Sequence, residues 1–460
     1  MKKCKVLMPI GALGGGINEE AFYNGMAMKP DVIAIDAGST DSGPASLATG
    51  TYKYARASVK SDLKISVIAA RKAGIPLLIG SCVTCGANAT VDQTAEIVIE
   101  ILAEEDLTAK IAKVYSGQDP EVLKKKWDEG KIHPLEGAPA ITRATFDECD
   151  NIVALMGAES FIEALNNGAD IVLCGRTTDT AIMAAMPIMM GCDVAASWHG
   201  AKAVECGAMC TCDNSAVGVF LEVDEAGFNV KTLLPSATCS PYSVSAHLLY
   251  ENTNPYRLVE PSGTILTKDA VYTQVDERTV RVTGTKFEHA KQYTMKLEGA
   301  AATGYQNISI VGIADSQVLA DPEAWIRNIS EHVNNYIQKK KLFAAEDYSF
   351  NFKAYGYNAV IAGPVPDSIP KPREIGILFT VTAKTQETAT QIAKLFNPYL
   401  LHFPAVWTNQ LPSFAFPFSP VDCPRGHTYE FKLHHVVDVD NPLELVKFEY
   451  IDAKELGKRG

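Results

Sequence analysis

Asn166–Glu205 reads NNGADIVLCGRTTDTAIMAAMPIMMGCDVAASWHGAKAVE, and the fold turns on how this stretch is read. The apolar run Ala169–Cys174 ends in Gly175-Arg176-Thr177-Thr178-Asp179-Thr180, and a second apolar run, Ala181–Met190, follows at once. That is the layout of a buried parallel strand, a polar turn and the first turns of a helix. In an open α/β sheet, ligands bind beyond the carboxyl ends of the strands, where this turn would sit. Asp179 or Thr180 is placed to cap the helix, whose free N–H groups attract anions. Thr and Asp also gather at such turns simply because they cap helices. The unpaired Arg176 is what that explanation leaves over.

Working outward, the same rhythm recurs upstream. Asp31–Ala37 (DVIAIDA) ends in Gly38-Ser39-Thr40-Asp41-Ser42-Gly43. This repeats the order of glycine, hydroxyls and Asp, and puts Asp36, Thr40 and Asp41 on the same ligand side. Lys5–Ile10 is a further strand, followed by the Gly-rich run Gly11–Gly16. That run lacks the G-x-G-x-x-G fingerprint and a matching acidic residue, so no nicotinamide or other cofactor is assigned. The run Leu77–Ile79 leads into Gly80-Ser81-Cys82-Val83-Thr84-Cys85. Its C-x-x-C has no second half for a four-thiolate zinc site. Strand and helix alternate to about residue 215, which predicts a doubly wound, mostly parallel α/β domain.

After Thr211 the texture changes to short alternating runs such as Val217–Val223 and Val271–Val282. From Gln306 the order becomes β-α-β-β-α-β, a ferredoxin-like arrangement. The expected domains are therefore 1–215 (α/β, ligand-binding), 216–305 (mixed, β-rich) and 306–460 (smaller, α+β).

Composition limits the function classes. The chain has 460 residues, 47% of them hydrophobic and 21% charged, with a net charge of −12. An acidic chain without a basic block is a poor partner for nucleic acid or an anionic membrane. No run approaches a membrane span. The 11 cysteines are scattered and odd in number, as suits a reducing cytoplasm. The N-terminal apolar run breaks at Pro9 and Gly11, too soon for a secretory signal.

Several clusters carry candidate chemistry. Arg176, with Thr177 and Thr178 beside it, and Lys202 are expected to hold a substrate carboxylate. Asp179 or Glu205 is the expected general base and His199 the acid. The loops at Gly38, Ser39, Thr40 and Asp41 and at Gly80 and Ser81 are expected to line the pocket. Glu298 runs into the small-residue stretch Gly299–Tyr305, read as a loop whose amides face an anion. Cys206, Cys210 and Cys212 do not match a zinc spacing, so no metal ligands are assigned. Cys206 stays open as a nucleophile, with His199 as its base.

These residues lie in longer motifs. GADIVLCGRTTDTAIMAAMPIMMG, WHGAKAVECGAMCT, SPYSVSAHLLYENTNPYRLVEPSG and YTMKLEGAAATGYQ together resemble the acyclic terpene utilisation (AtuA-like) family. NIVALMGAESFIEAL and HHVVDVDNPLELVKFEYID fit as well, so the resemblance runs from about residue 140 to 455. It implies an enzyme or enzyme subunit that degrades branched acyclic terpenes through CoA thioesters, and it carries over no catalytic residue. A companion small subunit is part of what it implies.

The expectation is thus a cytoplasmic catabolic hydro-lyase or isomerase on a small unsaturated or hydroxy carboxylate, free or as a CoA ester. The alternatives are a noncatalytic subunit that activates a partner enzyme and a metal-dependent enzyme using Glu205 and the nearby cysteines. The aromatic segment Phe414–Phe418 points to a homo-oligomer, and the surrounding Pro404–Pro424 is expected to pack on a partner chain or on the first domain.

Overall fold

The computed structural model describes residues 2–213, 217–361, 363, 365–366, 368–407 and 410–453. The strands of the first half are β1 (Lys3–Met8), β2 (Val32–Asp36), β3 (Leu77–Gly80), β4 (Lys110–Tyr115), β5 (Ile132–Pro134), β6 (Asn151–Ala154) and β7 (Ile171–Cys174). β1, β2, β3, β7 and β4 lie side by side in that order, each parallel to its neighbour. Every residue of β2, β3 and β7 is buried, which is why these segments read as unbroken apolar runs.

Helices cover both faces of this centre. Successive side chains of a strand point to opposite faces, so β1 sends Leu7 one way and Val6 and Met8 the other. Leu7, Ile33, Ile35, Leu77 and Leu173 meet Phe22, Leu63, Val67, Val91 and Val98. These come from the helices Glu19–Ala27, Arg56–Ala73 and Asn88–Glu104. Val6, Met8, Ala34, Leu78 and Val172 meet Phe161, Ile182, Met183 and Trp198. These come from the helices Ala158–Asn166, Asp179–Met189 and Val194–Val204.

The remaining strands are β8 (Val219–Asp224), β9 (Gly227–Thr232), β10 (Arg257–Glu260), β11 (Gly263–Leu266), β12 (Val271–Asp276), β13 (Thr279–Thr283), β14 (Lys286–His289), β15 (Tyr293–Ile313), β16 (Tyr348–Tyr355), β17 (Ile375–Ala383), β18 (Cys423–Val439) and β19 (Lys447–Asp452). Antiparallel strands extend the parallel centre on both sides, giving the order β12-β13-β9-β8-β1-β2-β3-β7-β4-β19. The protein is therefore mixed α/β with a large mixed sheet, where a mostly parallel one was expected. The reason is that β8 pairs along its whole length with β1, from Lys3↔Asp224 to Met8↔Val219. The expected boundary near residue 215 thus falls inside one sheet. By contacts the chain forms two compact units. One runs to Ala301 and resumes at Phe431, and the other is Ala302–Glu430.

The second unit contains both strands and helices. Helix Pro322–Lys340 leads to β16 and β17, and helix Gln386–His402 follows. β17 pairs antiparallel with both β15 and β16. Asp321 caps the first helix by accepting the Ala324 N–H at 2.9 Å, and Pro322 takes the first helical position. Trp325, Ile329, Val333 and Ile337, spaced on one helical face, meet Phe379 and Phe396 in its core. The stretch Gly299–Tyr305, expected as an anion-binding loop, is strand within β15, and Leu297–Ala300 pairs with β6. Small residues there fill a strand. Among the described residues, no helix is long and apolar enough to cross a membrane.

Candidate functional site

β2, β3 and β7 are neighbours, so the loops after Asp36, Gly80 and Cys174 converge at one end of the sheet. The turn after β3 is bent hard. Val83 and Thr84 have φ of 40° and 85°, a region that β-branched residues rarely enter. Such strain persists only where surrounding structure enforces it, and it gathers at functional sites. Two glycines let the backbone approach. A Cβ on Gly38 would lie 2.4 Å from Thr84 Cα, and one on Gly86 2.3 Å from the Arg176 backbone nitrogen.

Arg176 sits at the centre of these loops and is buried. Its Nε donates to Glu298 Oε2 at 3.1 Å, and its Nη1 donates to Ser81 Oγ at 3.2 Å and the Gly38 carbonyl at 3.4 Å. Asp179 Oδ1 stands 3.7 Å from the same Nη1. Glu298 also accepts from Thr40 Oγ1 at 3.1 Å and Lys296 Nζ at 2.9 Å. Burial pushes the Glu298 carboxyl up, but Arg176 and Lys296 together pull it down to about 2. Much of the Arg176 fork is thus committed to holding loops together.

Around this ion pair lie carboxylates with too few cations. Asp36 is buried, and burial and the nearby Asp179 push it well above the usual carboxylate range. Asp179, in the first turn of its helix, is also raised by burial, against the pull of Arg176 and Lys202. Lys202 Nζ makes a short contact with Glu205 Oε1. Glu205 is 2% exposed, and burial outweighs that ammonium, leaving the carboxyl at about 8. Glu260 accepts from Thr180 Oγ1 at 2.6 Å and Thr178 Oγ1 at 2.8 Å, and burial holds it at about 7.

Two small cavities open here. One, of about 230 Å³, is lined by Asp36, Gly38, Ser39, Asp41 and Cys206 among others. The second, of about 180 Å³, is lined by Arg176, Thr177, Thr178, Lys202, Glu205 and Glu260. Asp179 lines both. A buried carboxyl whose pKa is displaced by desolvation and by named charge partners, in a cleft, is a candidate for moving protons.

Most of the expected residues therefore meet in one place: Asp179, Glu205, Arg176, Thr177, Thr178, Lys202, Gly38, Ser39, Thr40, Asp41, Ser81 and Glu298. Gly80 is behind them, where a Cβ would lie 2.3 Å from Ile182 Cδ1. His199 is not brought there. It is fully buried, with Nδ1 2.6 Å from Thr285 Oγ1, Nε2 3.0 Å from Tyr272 Oη, and the Phe228 ring edge-on. Burial lowers its pKa to about 3, so the imidazole stays neutral, and both of its nitrogens are engaged by Thr285 and Tyr272. The Gly-rich loop is also satisfied internally. The N–H groups of Gly14, Gly16 and Ile17 all donate to the Asp62 carboxylate, at 2.8, 3.1 and 2.9 Å. Cys82 and Cys85 are buried free thiols.

Three further residues lie at the site. Glu260 ends β10 and looked like part of a plain turn. Cys206 and His247 are the others. The donor atoms of Glu205, Cys206 and His247 all lie within 4.8 Å of one another, a grouping able to hold a metal ion. His247 comes from far along the chain, so no local spacing announces it. The His and Pro in SPYSVSAHLLYENTNP were its only signal.

Against known proteins, residues 48–416 match the family described as acyclic terpene utilisation family protein AtuA. No curated protein matches the chain, and no solved structure does.

Proposed function

The chain belongs to the acyclic terpene utilisation (AtuA) family, and from that premise we propose that it is a cytoplasmic catabolic enzyme. The reaction is a proton transfer at carbon, as in a hydro-lyase or an isomerase. The substrate is a small unsaturated or hydroxy carboxylate, free or as the acyl end of a CoA ester. The observation that carries this reading is Asp179, a displaced carboxyl shared by two small polar cavities and flanked by Arg176 and Lys202. In this reading Asp179 takes a proton from the carbon next to the substrate carboxyl. Lys202 holds that carboxyl as a point charge, since the Arg176 fork is engaged by Glu298. Glu260, held at about 7, gives a proton to a departing hydroxyl, which leaves as water. Glu205 Oε1 lies against Lys202 Nζ.

The cavity sizes support a small acid. Pockets for drug-sized ligands run from roughly 300 Å³ upward. For partners, we propose a homo-oligomer joined through the Pro404–Pro424 segment, and a small companion subunit. In that segment Val406, Trp407 and Leu411 are exposed, and Phe414 is buried in the core of the second unit. Thr408 and Asn409 lie outside the described residues.

The test begins with a thermal-shift screen of branched carboxylates and CoA esters, because a true ligand stabilises the fold by mass action. On the ligand so found, Asp179→Asn is expected to lower turnover by roughly 100-fold or more. Full turnover by Asp179→Asn would end this assignment. Activity that appears only when a partner protein is added would favour the activating-subunit alternative.

A further inference from the structure

Glu205, Cys206 and His247 have a second reading that the proton-transfer chemistry does not use. Glu205 caps the C-terminus of helix Val194–Val204, and the chain turns out of the helix at Cys206. This lets neighbouring residues aim at one point. The Cys206 backbone is held by its surroundings, since a Cβ on Gly11 would lie 2.7 Å from its carbonyl carbon. Gly207 follows with φ of 62°. His247 comes from the turn after helix Pro241–Ala246 and is 5% exposed. Its Nε2 is buried without a hydrogen-bond partner. Its ring stacks on Tyr250, with centroids 5.6 Å apart and planes at 11°. An unpaired buried imidazole nitrogen costs free energy unless something coordinates it.

We propose that Glu205, Cys206 and His247 bind one divalent transition-metal ion of the zinc class, with a fourth position open to the cavities. One nitrogen, one sulfur and one oxygen donor is a borderline set that suits zinc over calcium or magnesium. Ligand atoms about 2.0–2.3 Å from a tetrahedral zinc stand roughly 3.5 Å apart. Donors already within 4.8 Å of one another reach that spacing by side-chain movements of about an ångström. Three protein ligands and one open position is the pattern of catalytic, not structural, zinc sites.

The electrostatics point the same way. Lys202 stands beside the triad, with its Nζ in short contact with Glu205 Oε1. Asp36 and Glu251 line the first cavity with Cys206, Glu260 lines the second with Glu205, and Asp179 lines both. A cation bound beside them would favour their charged forms. Access exists as well: Cys206 lines the first cavity, Glu205 the second, and His247 a third, more open one with Tyr250 and Met209. Binding releases the Cys206 thiol proton to solvent and leaves the thiolate on the ion. It also draws Glu205 away from Lys202, freeing that ammonium for a substrate carboxylate. That last point rests on the proposed function; the metal site itself does not.

The test uses the full chain without substrate. After chelator treatment and reloading with Zn²⁺, the wild type is expected to keep about one ion per chain through desalting. Loaded with Co²⁺, it should show a near-ultraviolet thiolate-to-metal band. Cys206→Ser should lose that band, and Cys206→Ser and His247→Gln should each weaken binding by at least about 100-fold. Cys212→Ser, which removes an exposed thiol nearby, should change neither. Wild type that retains no ion and shows no band overturns the proposal, and so does equal retention by the two ligand variants. The band is read on the wild type, so a misfolded variant does not remove the test. Metal binding without turnover would sink the function and spare the site; turnover that depends on Asp179 without metal would do the reverse.

Discussion

Replacing Glu298 by Gln isolates the buried ion pair that holds the site's loops. The shape of the side chain is kept and its charge is lost. Arg176 then stays buried with its guanidinium uncompensated, since its remaining partners are Ser81 Oγ and the Gly38 carbonyl, with Asp179 at 3.7 Å. The magnitude follows from linkage. The Glu298 carboxyl is lowered from 4.5 to about 2, although burial alone would raise it. At about 1.4 kcal/mol for each tenfold change, that is ~3 kcal/mol of stability at neutral pH. Glu298 and Arg176 are almost fully buried, so solvent screens little of it; the share owed to the half-exposed Lys296 is discounted. The figure matches the ~3–5 kcal/mol typical of breaking a buried pair from one side. A group whose folded pKa is depressed contributes fully above its unfolded pKa and loses that contribution as pH falls through the folded one. The window here runs from about 4.5 down to about 2. Urea unfolding of wild type and Glu298→Gln at several pH values is the assay. The gap between the two should be ~3 kcal/mol at pH 7 and shrink to ~1.4 kcal/mol by pH 3. A gap under ~0.5 kcal/mol at pH 7, or one that does not change on acidification, refutes the reasoning.

Three further outcomes are expected. In proton NMR, the His199 ring should stay neutral to below pH 4, and a midpoint near its ordinary value of 6.5 would contradict its burial. Because that pKa is depressed, the unfolded chain protonates first, and this residue's contribution to stability is lost as pH falls from 6.5 towards 3. Asp62→Ala should leave the amides of Gly14, Gly16 and Ile17 without an acceptor, cost roughly 3 kcal/mol, and raise hydrogen exchange in that loop first. On an identified substrate, activity should decline as pH rises through about 7, where Glu260 loses its proton; Glu260→Gln should lower turnover and remove that limb. A limb that survives the substitution assigns the proton to another group.

The parts of this molecule that were legible in its sequence are those set by local physics. Ala169–Cys174 could be read as a buried strand because a strand covered on both faces is apolar throughout. The polar turn after it could be placed at the carboxyl end of the strands because strand direction and the helix start fix where it lies. Helix Pro322–Lys340 and strand Ile375–Ala383 were legible because strand and helix periodicities differ. Sheet membership was not. Val219–Asp224 announces a strand by alternation, but nothing local says that it joins β1. Charge pairing was equally hidden. Arg176 looks free beside its neighbours, and its partner Glu298 lies far along the chain. The Gly-rich loop resembled a ligand cradle because its N–H groups do converge, but on Asp62. His199 looked like an acid because it sits near Asp179 in sequence; its helix turns it towards Phe228 and Tyr272 instead. Glu260 needed the fold to be seen at all.

The central claim is that the Asp179 carboxylate takes a proton from carbon, and solvent exchange measures that step directly. A carboxylate ligand found by thermal shift is incubated with the protein in deuterated water, and deuterium entering the carbon next to its carboxyl is followed by NMR. The wild type should exchange that position, and Asp179→Asn should bind the ligand yet exchange it at least about 100-fold more slowly. Exchange at the wild-type rate by Asp179→Asn would contradict the account.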